Sequence, residues 1–215
     1  MKSKNNLLEQ LKNLPHFSKD TVNQLGGQLG LKKTTVDTYI SRFLKYKEIF
    51  KLRRELYISV DFYNKNKADT SYLFYLANII RKPAYVSSWT ALQYYNLTTE
   101  SIHGVTSITR KSTRTYDTKI GSFSYRSIQK ELFTDFSSVE GKFNFFIASP
   151  AKALFDLLYF KTRQFRLPAE ASAQAGGRLE YIKKLIEELR IDIDEMDKLE
   201  QDKFYEMIKK YLNHE

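Results

Sequence analysis

The sequence predicts an α+β protein that folds into two units. Hydrophobic residues make up 42% and aromatic residues 14% of the 215 positions, which supplies enough apolar surface for packed cores. Apolar residues recur at helical spacing towards both ends of the chain, whereas residues 102–146 alternate in polarity and are rich in β-branched side chains. A chain of this length accommodates one complete domain with a smaller one beside it.

The positive charge of the chain is concentrated in its first two thirds. The net charge is +10, with 12 basic and 5 acidic side chains in residues 1–60 and 15 and 8 in residues 61–168. Residues 169–215 hold 8 basic and 12 acidic side chains, so this end is acidic. A positive field over residues 1–168 attracts a polyanion, of which nucleic acid is the simplest, although a solvated lysine surface has the same composition.

The composition argues against several classes of protein. The absence of cysteine excludes a disulfide scaffold, a thiolate zinc site, an iron–sulfur cluster and a cysteine nucleophile. His16, His103 and His214 are widely separated and lack partners at ligand spacing, so we expect no metal, no cofactor and no catalytic residue. The N-terminus lacks the apolar core of a signal peptide and no apolar run is long enough to span a bilayer, so we expect a cytoplasmic protein without a membrane partner.

Two helices are predicted at the start of the chain. Residues 5–14 place four leucines on one face, and Pro15 ends this helix. Ser18 is a suitable cap for a short second helix, which we expect Gly26 and Gly27 to interrupt.

A third helix is predicted from Lys32 or Lys33 to Lys45, after a turn at Gly30. Its outer face carries cations and short hydroxyl side chains. Short hydroxyls allow a helix to approach base edges closely, while Lys and Arg reach guanines or phosphates. An ordinary solvated helix face is the alternative. The apolar stripe on the opposite face consists of Val36, Ile40, Phe43 and Leu44.

Two strand-like runs over residues 48–52 and 56–60 enclose the basic segment 53–55, which indicates a hairpin with a basic tip. Two helices, a recognition helix and a basic hairpin, in this order, predict a winged helix-turn-helix domain over residues 1–60. The residues predicted to bind DNA are Lys32, Lys33, Thr34, Thr35, Thr38, Ser41, Arg42, Lys45, Lys51, Arg53 and Arg54.

Residues 71–215 are predicted to form a mixed α/β domain after a polar linker over residues 61–70. Ser149 followed by Pro150 is typical of a helix start. We predict helices over 72–80, 89–95, 150–161, 179–190 and 195–212, and strands over 105–109, 122–128 and 143–147.

Four side chains of this second unit could in principle take part in binding or catalysis. Trp89, Tyr94 and Tyr95 have the helical spacing of core residues, although aromatic rings also stack on bases. Asp156 lies among leucines, and we expect a partly exposed helix acid paired with a neighbouring Lys or Arg rather than a catalytic carboxylate.

Two stretches of the second unit are similar to a known family. Residues 85–98 read YVSSWTALQYYNLT and residues 148–158 read ASPAKALFDLL, and both resemble segments of the AbiEi family of antitoxins. The segment RRELY over residues 53–57 is similar to the N-terminal domain that such proteins carry, where Gly usually stands at the position of Glu55. Glu disfavours the left-handed backbone conformation that Gly permits, so the turn departs from the family pattern at this point.

The resemblance implies an antitoxin and transcriptional repressor of an abortive-infection toxin–antitoxin operon, a phage defence system. Such a protein binds inverted repeats in its own promoter, as a dimer or by cooperative assembly, and counters a nucleotidyltransferase-like toxin without a stable complex. Two alternatives stay open: an antitoxin that sequesters its toxin by direct contact, and a nucleotide-dependent enzyme that acts on the toxin.

Overall fold

The chain is a mixed α+β protein, as the sequence predicts. The computed structural model describes residues 2–100, 103–166 and 177–212. Strands β1 (Phe17–Ser18), β2 (Ile49–Arg53) and β3 (Leu56–Ser59) form an antiparallel sheet in the order β1-β3-β2. A second sheet of six strands is formed by residues further along the chain.

Helices α1 (Lys2–Leu11), α2 (Lys19–Gln28) and α3 (Lys33–Lys45) accompany the small sheet. The predicted cap of α2 is confirmed, because the Ser18 side chain accepts a hydrogen bond from the Thr21 amide at 3.1 Å. The predicted interruption at Gly26 and Gly27 is wrong, since α2 continues through both glycines. A Cβ atom at Gly26 would collide with Cγ2 of Val36, so the missing side chain allows α2 and α3 to approach closely.

The predicted linker over residues 61–70 is wrong, because most of it is helical. Helix α4 (Val60–Asn66) begins after Ser59, whose side chain accepts a hydrogen bond from the Phe62 amide. The Phe62 ring packs edge-on against the Phe143 ring at a centroid distance of 6.1 Å. The polar composition indicated a turn, but Phe62 and the hydrogen bond from the Lys142 ammonium to the buried Asn66 side chain anchor this short helix to the second unit.

The six-stranded sheet has helices on both faces. Its strand order is β6-β7-β5-β4-β9-β8, with parallel pairing of β4 with β9 and of β5 with β7. On one face, the Tyr125 hydroxyl donates to the Ala77 carbonyl of α5. On the other face, the Tyr85 hydroxyl donates to Asp156 of α7. The bounds are α5 (Thr70–Ile80), β4 (Ala84–Val86), α6 (Ser88–Tyr94), β5 (Val105–Thr109), β6 (Arg114–Thr118), β7 (Gly121–Ser127), β8 (Phe136–Val139), β9 (Phe145–Ala148) and α7 (Pro150–Lys161).

Strands β4, β6 and β8 are absent from the sequence-based prediction. β4 has only three residues, all buried, which is too short to show a period. β6 and β8 are the two edges of the sheet, and their sequences RTYDT and FSSV contain no buried residue. Edge strands of this kind carry little hydrophobic alternation, which is the signal that identified the central strands.

Two charged helices complete the described chain, α8 (Gly177–Glu188) and α9 (Lys198–Leu212). α9 starts three residues later than predicted, because the Asp197 side chain accepts a hydrogen bond from the Glu200 amide at 3.0 Å. Glu200 also accepts from the Ala151 amide at 2.9 Å, which joins α9 to the start of α7. None of the described helices combines the length and the apolar composition needed to cross a bilayer.

The hairpin of β2 and β3 belongs to two hydrophobic cores. Ile49 and Tyr57 pack in a smaller core with α1, α2 and α3. Leu52, Leu56 and Ile58 belong to the larger core that surrounds the six-stranded sheet. The boundary predicted at residue 60 therefore follows a hairpin that both units share.

Polar contacts also join the two units. The Tyr72 hydroxyl donates to the Pro15 carbonyl at 2.6 Å, and the Tyr75 hydroxyl lies 2.7 Å from Nδ1 of His16. Burial lowers the pKa of His16, and the nearby Lys82 charge lowers it further. This contact between the two units therefore favours the neutral form of the His16 imidazole.

Candidate functional site

Helix α3 buries one side and presents the other to solvent. Val36, Ile40 and Phe43 are buried, as the sequence predicts, and they fix the orientation of the helix on the smaller core. Of the eleven residues predicted to bind DNA, ten are exposed and Thr35 is half-buried. The structure therefore places these side chains along one helix and on the hairpin that follows it.

Two hydroxyl groups on α3 are already oriented by the helix. The Thr38 hydroxyl donates to the Thr34 carbonyl and the Ser41 hydroxyl donates to the Asp37 carbonyl, both at 3.0 Å. A hydroxyl that has donated its proton keeps its acceptor lone pairs. The Thr38 hydroxyl can therefore accept a hydrogen bond from a ligand, and the amino groups of cytosine and adenine are such donors in the major groove. The Ser41 hydroxyl can donate to a phosphate oxygen only when it gives up its hydrogen bond to the Asp37 carbonyl.

Lys19 connects the hairpin turn to α3. Its ammonium forms an ion pair with Asp37 at 2.8 Å, and this hydrogen bond raises the pKa of Lys19. Its backbone amide donates to the Glu55 carbonyl at 3.1 Å. Asp37 is the single acidic residue of α3, and neither its position on the outer face nor its partner was predicted from the sequence.

The tip of the hairpin is a tight turn at Arg54 and Glu55. Glu55 has a φ of 58°, so it adopts the left-handed conformation that a glycine would take more readily. The Arg53 guanidinium donates to the Arg54 carbonyl at 3.1 Å, and both arginines are exposed. The hydrogen bond from Lys19 to the Glu55 carbonyl helps to hold this turn in place.

A groove of about 740 Å³ separates the hairpin from the β6–β7 turn of the large sheet. Lys45, Lys47 and Lys51 line one side, and Lys119 lines the other together with Asp117. Lys47 and Lys119 are not among the residues predicted to bind DNA, because only the folded arrangement brings residues of the two units together. The basic surface of α3 thus continues onto the second unit.

The second unit contains a fully buried polar cluster around Asp156. The Asp156 carboxylate forms an ion pair with Lys152, one turn earlier on α7. It also accepts hydrogen bonds from Ser87 at 2.7 Å and from Tyr85 at 3.1 Å. Burial raises the pKa of the Asp156 carboxyl, while Lys152 and the two hydroxyls favour its charged form.

The sequence predicted a basic partner for Asp156, which is confirmed, and partial exposure, which is wrong. α7 is enclosed by the sheet on one side and α9 on another, so Asp156 is 0% exposed and Lys152 is 1% exposed. Ser87 occupies the N-cap position of α6, but its hydroxyl bonds to Asp156 and makes no cap hydrogen bond. No ligand of appreciable size reaches this carboxylate, so the cluster can join β4 to α7 but is poorly placed for catalysis.

The aromatic residues of α6 are less buried than predicted. Tyr94 is 42% exposed, and Trp89 and Tyr95 are half-buried. The Tyr95 hydroxyl donates to the Ala148 carbonyl at 2.9 Å, which links residues 85–98 to residues 148–158. Trp89 lines a separate groove on the α6 and α7 side of the large sheet.

Within the described residues, no group of three or more acidic or histidine side chains is arranged to hold a metal ion. His16 bonds to Tyr75, His103 is exposed, and His214 lies outside the described residues. A scan against models of protein families finds no match, and a search of curated proteins finds no relative.

Proposed function

We propose that this protein is a DNA-binding transcriptional repressor whose first sixty residues form a winged helix-turn-helix domain. In domains of this type the recognition helix enters the major groove, while neighbouring elements contact the phosphate backbone. The order α1, β1, α2, α3, β2 and β3, with β1 paired to β3, supports this assignment. α3 is then the recognition helix, and the β2–β3 hairpin is the wing.

The observation that carries the proposal is the composition of the exposed side of α3. Its polar side chains are cations and hydroxyls, and its one carboxylate, Asp37, is held by Lys19. A polyanion approaching α3 therefore meets no unpaired negative charge on this helix, while Arg53 and Arg54 flank it on the wing.

Base reading and phosphate contact are assigned to different side chains. Thr34, Thr35, Thr38 and Arg42 read base edges; Lys32, Lys33, Ser41 and Lys45 face phosphates; and Lys51, Arg53 and Arg54 contact the backbone or the adjacent minor groove. Repression follows from occupancy, because a protein bound across a promoter excludes polymerase.

We further propose that the protein is the antitoxin of an AbiE-like operon and binds inverted repeats in its own promoter. Support comes from the two stretches that resemble AbiEi antitoxins, which meet through the Asp156 cluster and through Tyr95. The toxin that it counters is nucleotidyltransferase-like in this proposal, and the second unit carries the antitoxic role.

The test is binding of the full chain to a duplex from upstream of its own gene, against a scrambled duplex, over a series of salt concentrations. At about 150 mM salt we expect the protein to bind the upstream duplex at least about a thousandfold more tightly than the scrambled duplex. Equal and salt-labile binding to both duplexes would contradict the repressor proposal.

Co-purification with the product of the neighbouring gene tests the antitoxin proposal. Promoter binding without a stable complex, together with rescue of cells that express the toxin, is the expected result. A stable stoichiometric complex would favour sequestration of the toxin instead, and modification of the toxin that requires a nucleotide would favour an enzyme.

A further inference from the structure

A groove on the second unit has the shape and the chemistry of a small-molecule site. It lies on the α6 and α7 side of the six-stranded sheet and encloses about 560 Å³, which is in the range of ligand pockets. No described residue of its lining is acidic. The groove is distinct from the α3 surface and from the Asp156 cluster.

The floor of the groove is a row of hydroxyl groups. Thr106 of β5 lies opposite Ser124 of β7, which lies opposite Thr115 of β6. The three side chains project from the same face of the sheet, since all three line the groove. Their hydroxyls have no hydrogen-bond partner among the described residues, so they are free to bind a polyhydroxylated ligand.

Ser88 adds a fourth hydroxyl at one end of this row. It lines the groove yet is only 6% exposed, and its hydroxyl has no partner in the described part of the chain. Its backbone has a φ of 57°, a conformation that a non-glycine residue adopts at a free-energy cost. The unpartnered Ser88 hydroxyl is therefore accessible from the groove, and a strained backbone of this kind is typical of functional positions.

The opposite end of the groove is cationic. Arg126 lies two positions after Ser124 on β7, which places it about 7 Å further along the same face. Its guanidinium is 5.9 Å from the Phe160 ring centroid, next to the exposed Lys161, and both cations line the groove. No described carboxylate pairs with Arg126 or Lys161, so both are available to an anion.

We propose that this groove binds a nucleoside monophosphate. The phosphate lies between Arg126 and Lys161, the ribose lies on the hydroxyl row, and the base stacks on Trp89, next to Ser88. The separation of about 7 Å between the cations and the hydroxyl row suits a sugar joined to a 5′-phosphate. The proposal does not depend on DNA binding by α3.

Trp89 is the single tryptophan of the chain, so its fluorescence reports on this groove directly. The full chain is titrated with AMP, GMP, CMP and UMP, and separately with the matching nucleosides and with inorganic phosphate. We expect saturable quenching by at least one nucleotide, with at least about tenfold weaker binding of its nucleoside and of phosphate alone. Absence of saturable quenching and of calorimetric heat up to about 1 mM would overturn the proposal, as would phosphate binding as tight as the nucleotides.

Variants locate the site. Arg126→Gln is expected to weaken nucleotide binding by at least about tenfold, since it removes a charge-assisted hydrogen bond. Thr115→Val keeps the shape and strand propensity of the side chain and is expected to weaken binding several-fold.

Arg110→Gln removes an exposed arginine outside the groove and should leave binding unchanged. Unchanged binding in folded Arg126→Gln, or in Thr115→Val and Lys161→Gln if the first variant does not fold, would refute the assignment.

Discussion

The polar surface of α3 and the polar cluster around Asp156 place charge in opposite environments. The cations of α3 and the wing are exposed and mostly unpaired, so each adds little to stability but together they create a field that acts on a polyanion. The Lys152–Asp156 pair is buried with its partners in place, so it adds nothing to that field and fixes how α7 sits on the sheet. In our proposal the exposed charges of α3 and the wing serve binding, whereas the buried Lys152–Asp156 pair serves folding.

The largest effect should come from breaking the buried pair. Asp156→Ala leaves the Lys152 ammonium buried without its carboxylate, and we expect a loss of about 3–5 kcal/mol in the free energy of unfolding. Urea denaturation measures it. The matched control is Lys152→Met with Asp156→Leu, which removes both charges and should recover most of the loss. A single variant with the wild-type urea midpoint would show that the pair does not secure α7.

The second effect should come from the close packing that positions α3. Gly26→Ala places a methyl group against Val36, so we expect a loss of about 1–3 kcal/mol in stability and weaker DNA binding. Gly27→Ala is the control one residue away, because no atom lies within 4 Å of its new Cβ. That variant should be neutral or stabilised by up to about 1 kcal/mol, since Ala favours helices over Gly. Equal thermal midpoints for the two variants would contradict this packing.

A third effect should appear in binding without a change in folding. Arg53→Ala combined with Arg54→Ala should lower DNA affinity and reduce the slope of log K against log salt by about 0.9 for each phosphate that the variant no longer neutralises. Both side chains are exposed, so the free energy of unfolding should stay within about 0.5 kcal/mol of wild type. Lys183→Ala with Lys184→Ala on α8 is the control for charge. If the slope of log K against log salt were unchanged in the arginine variant, the wing would not contact DNA phosphates.

The smallest effect should be a pH dependence at the seam between the units. The folded-state pKa of His16 is below its ordinary value of 6.5, so His16 contributes stability above pH 6.5 that is lost as the pH falls through the lower folded-state pKa. His16→Gln should flatten the stability profile just below pH 6.5. Urea midpoints at several pH values measure this, and profiles of equal slope would contradict the assignment.

The elements of the first unit could be predicted because their signals are local. The spacing of Val36, Ile40 and Phe43 fixes the buried side of α3, and Ser18 lies where a cap is needed. Helix α4 could not be predicted in the same way, since Phe62 finds its partner Phe143 far along the chain. A polar stretch whose anchoring partners lie far along the chain has no local period to detect.

The candidate site was predictable in composition but not in full extent. The cations and hydroxyls of α3 follow from helical spacing, whereas the Lys19–Asp37 pair depends on the angle between two helices. The burial of Asp156 could not be predicted, because a lysine and an aspartate four residues apart are also typical of an exposed helix face. The leucines around it were the one available sign that this face is enclosed.

The sharing of the hairpin between two cores has a consequence for modularity. A chain shortened to the end of β3 would expose Leu52, Leu56 and Ile58 to water, because most of the core to which they belong lies beyond residue 59. Such a fragment would carry every proposed DNA-binding residue, but it would also expose a hydrophobic patch that favours aggregation. The first unit therefore cannot simply be transferred to another protein. The recipient would need a surface that buries those three side chains.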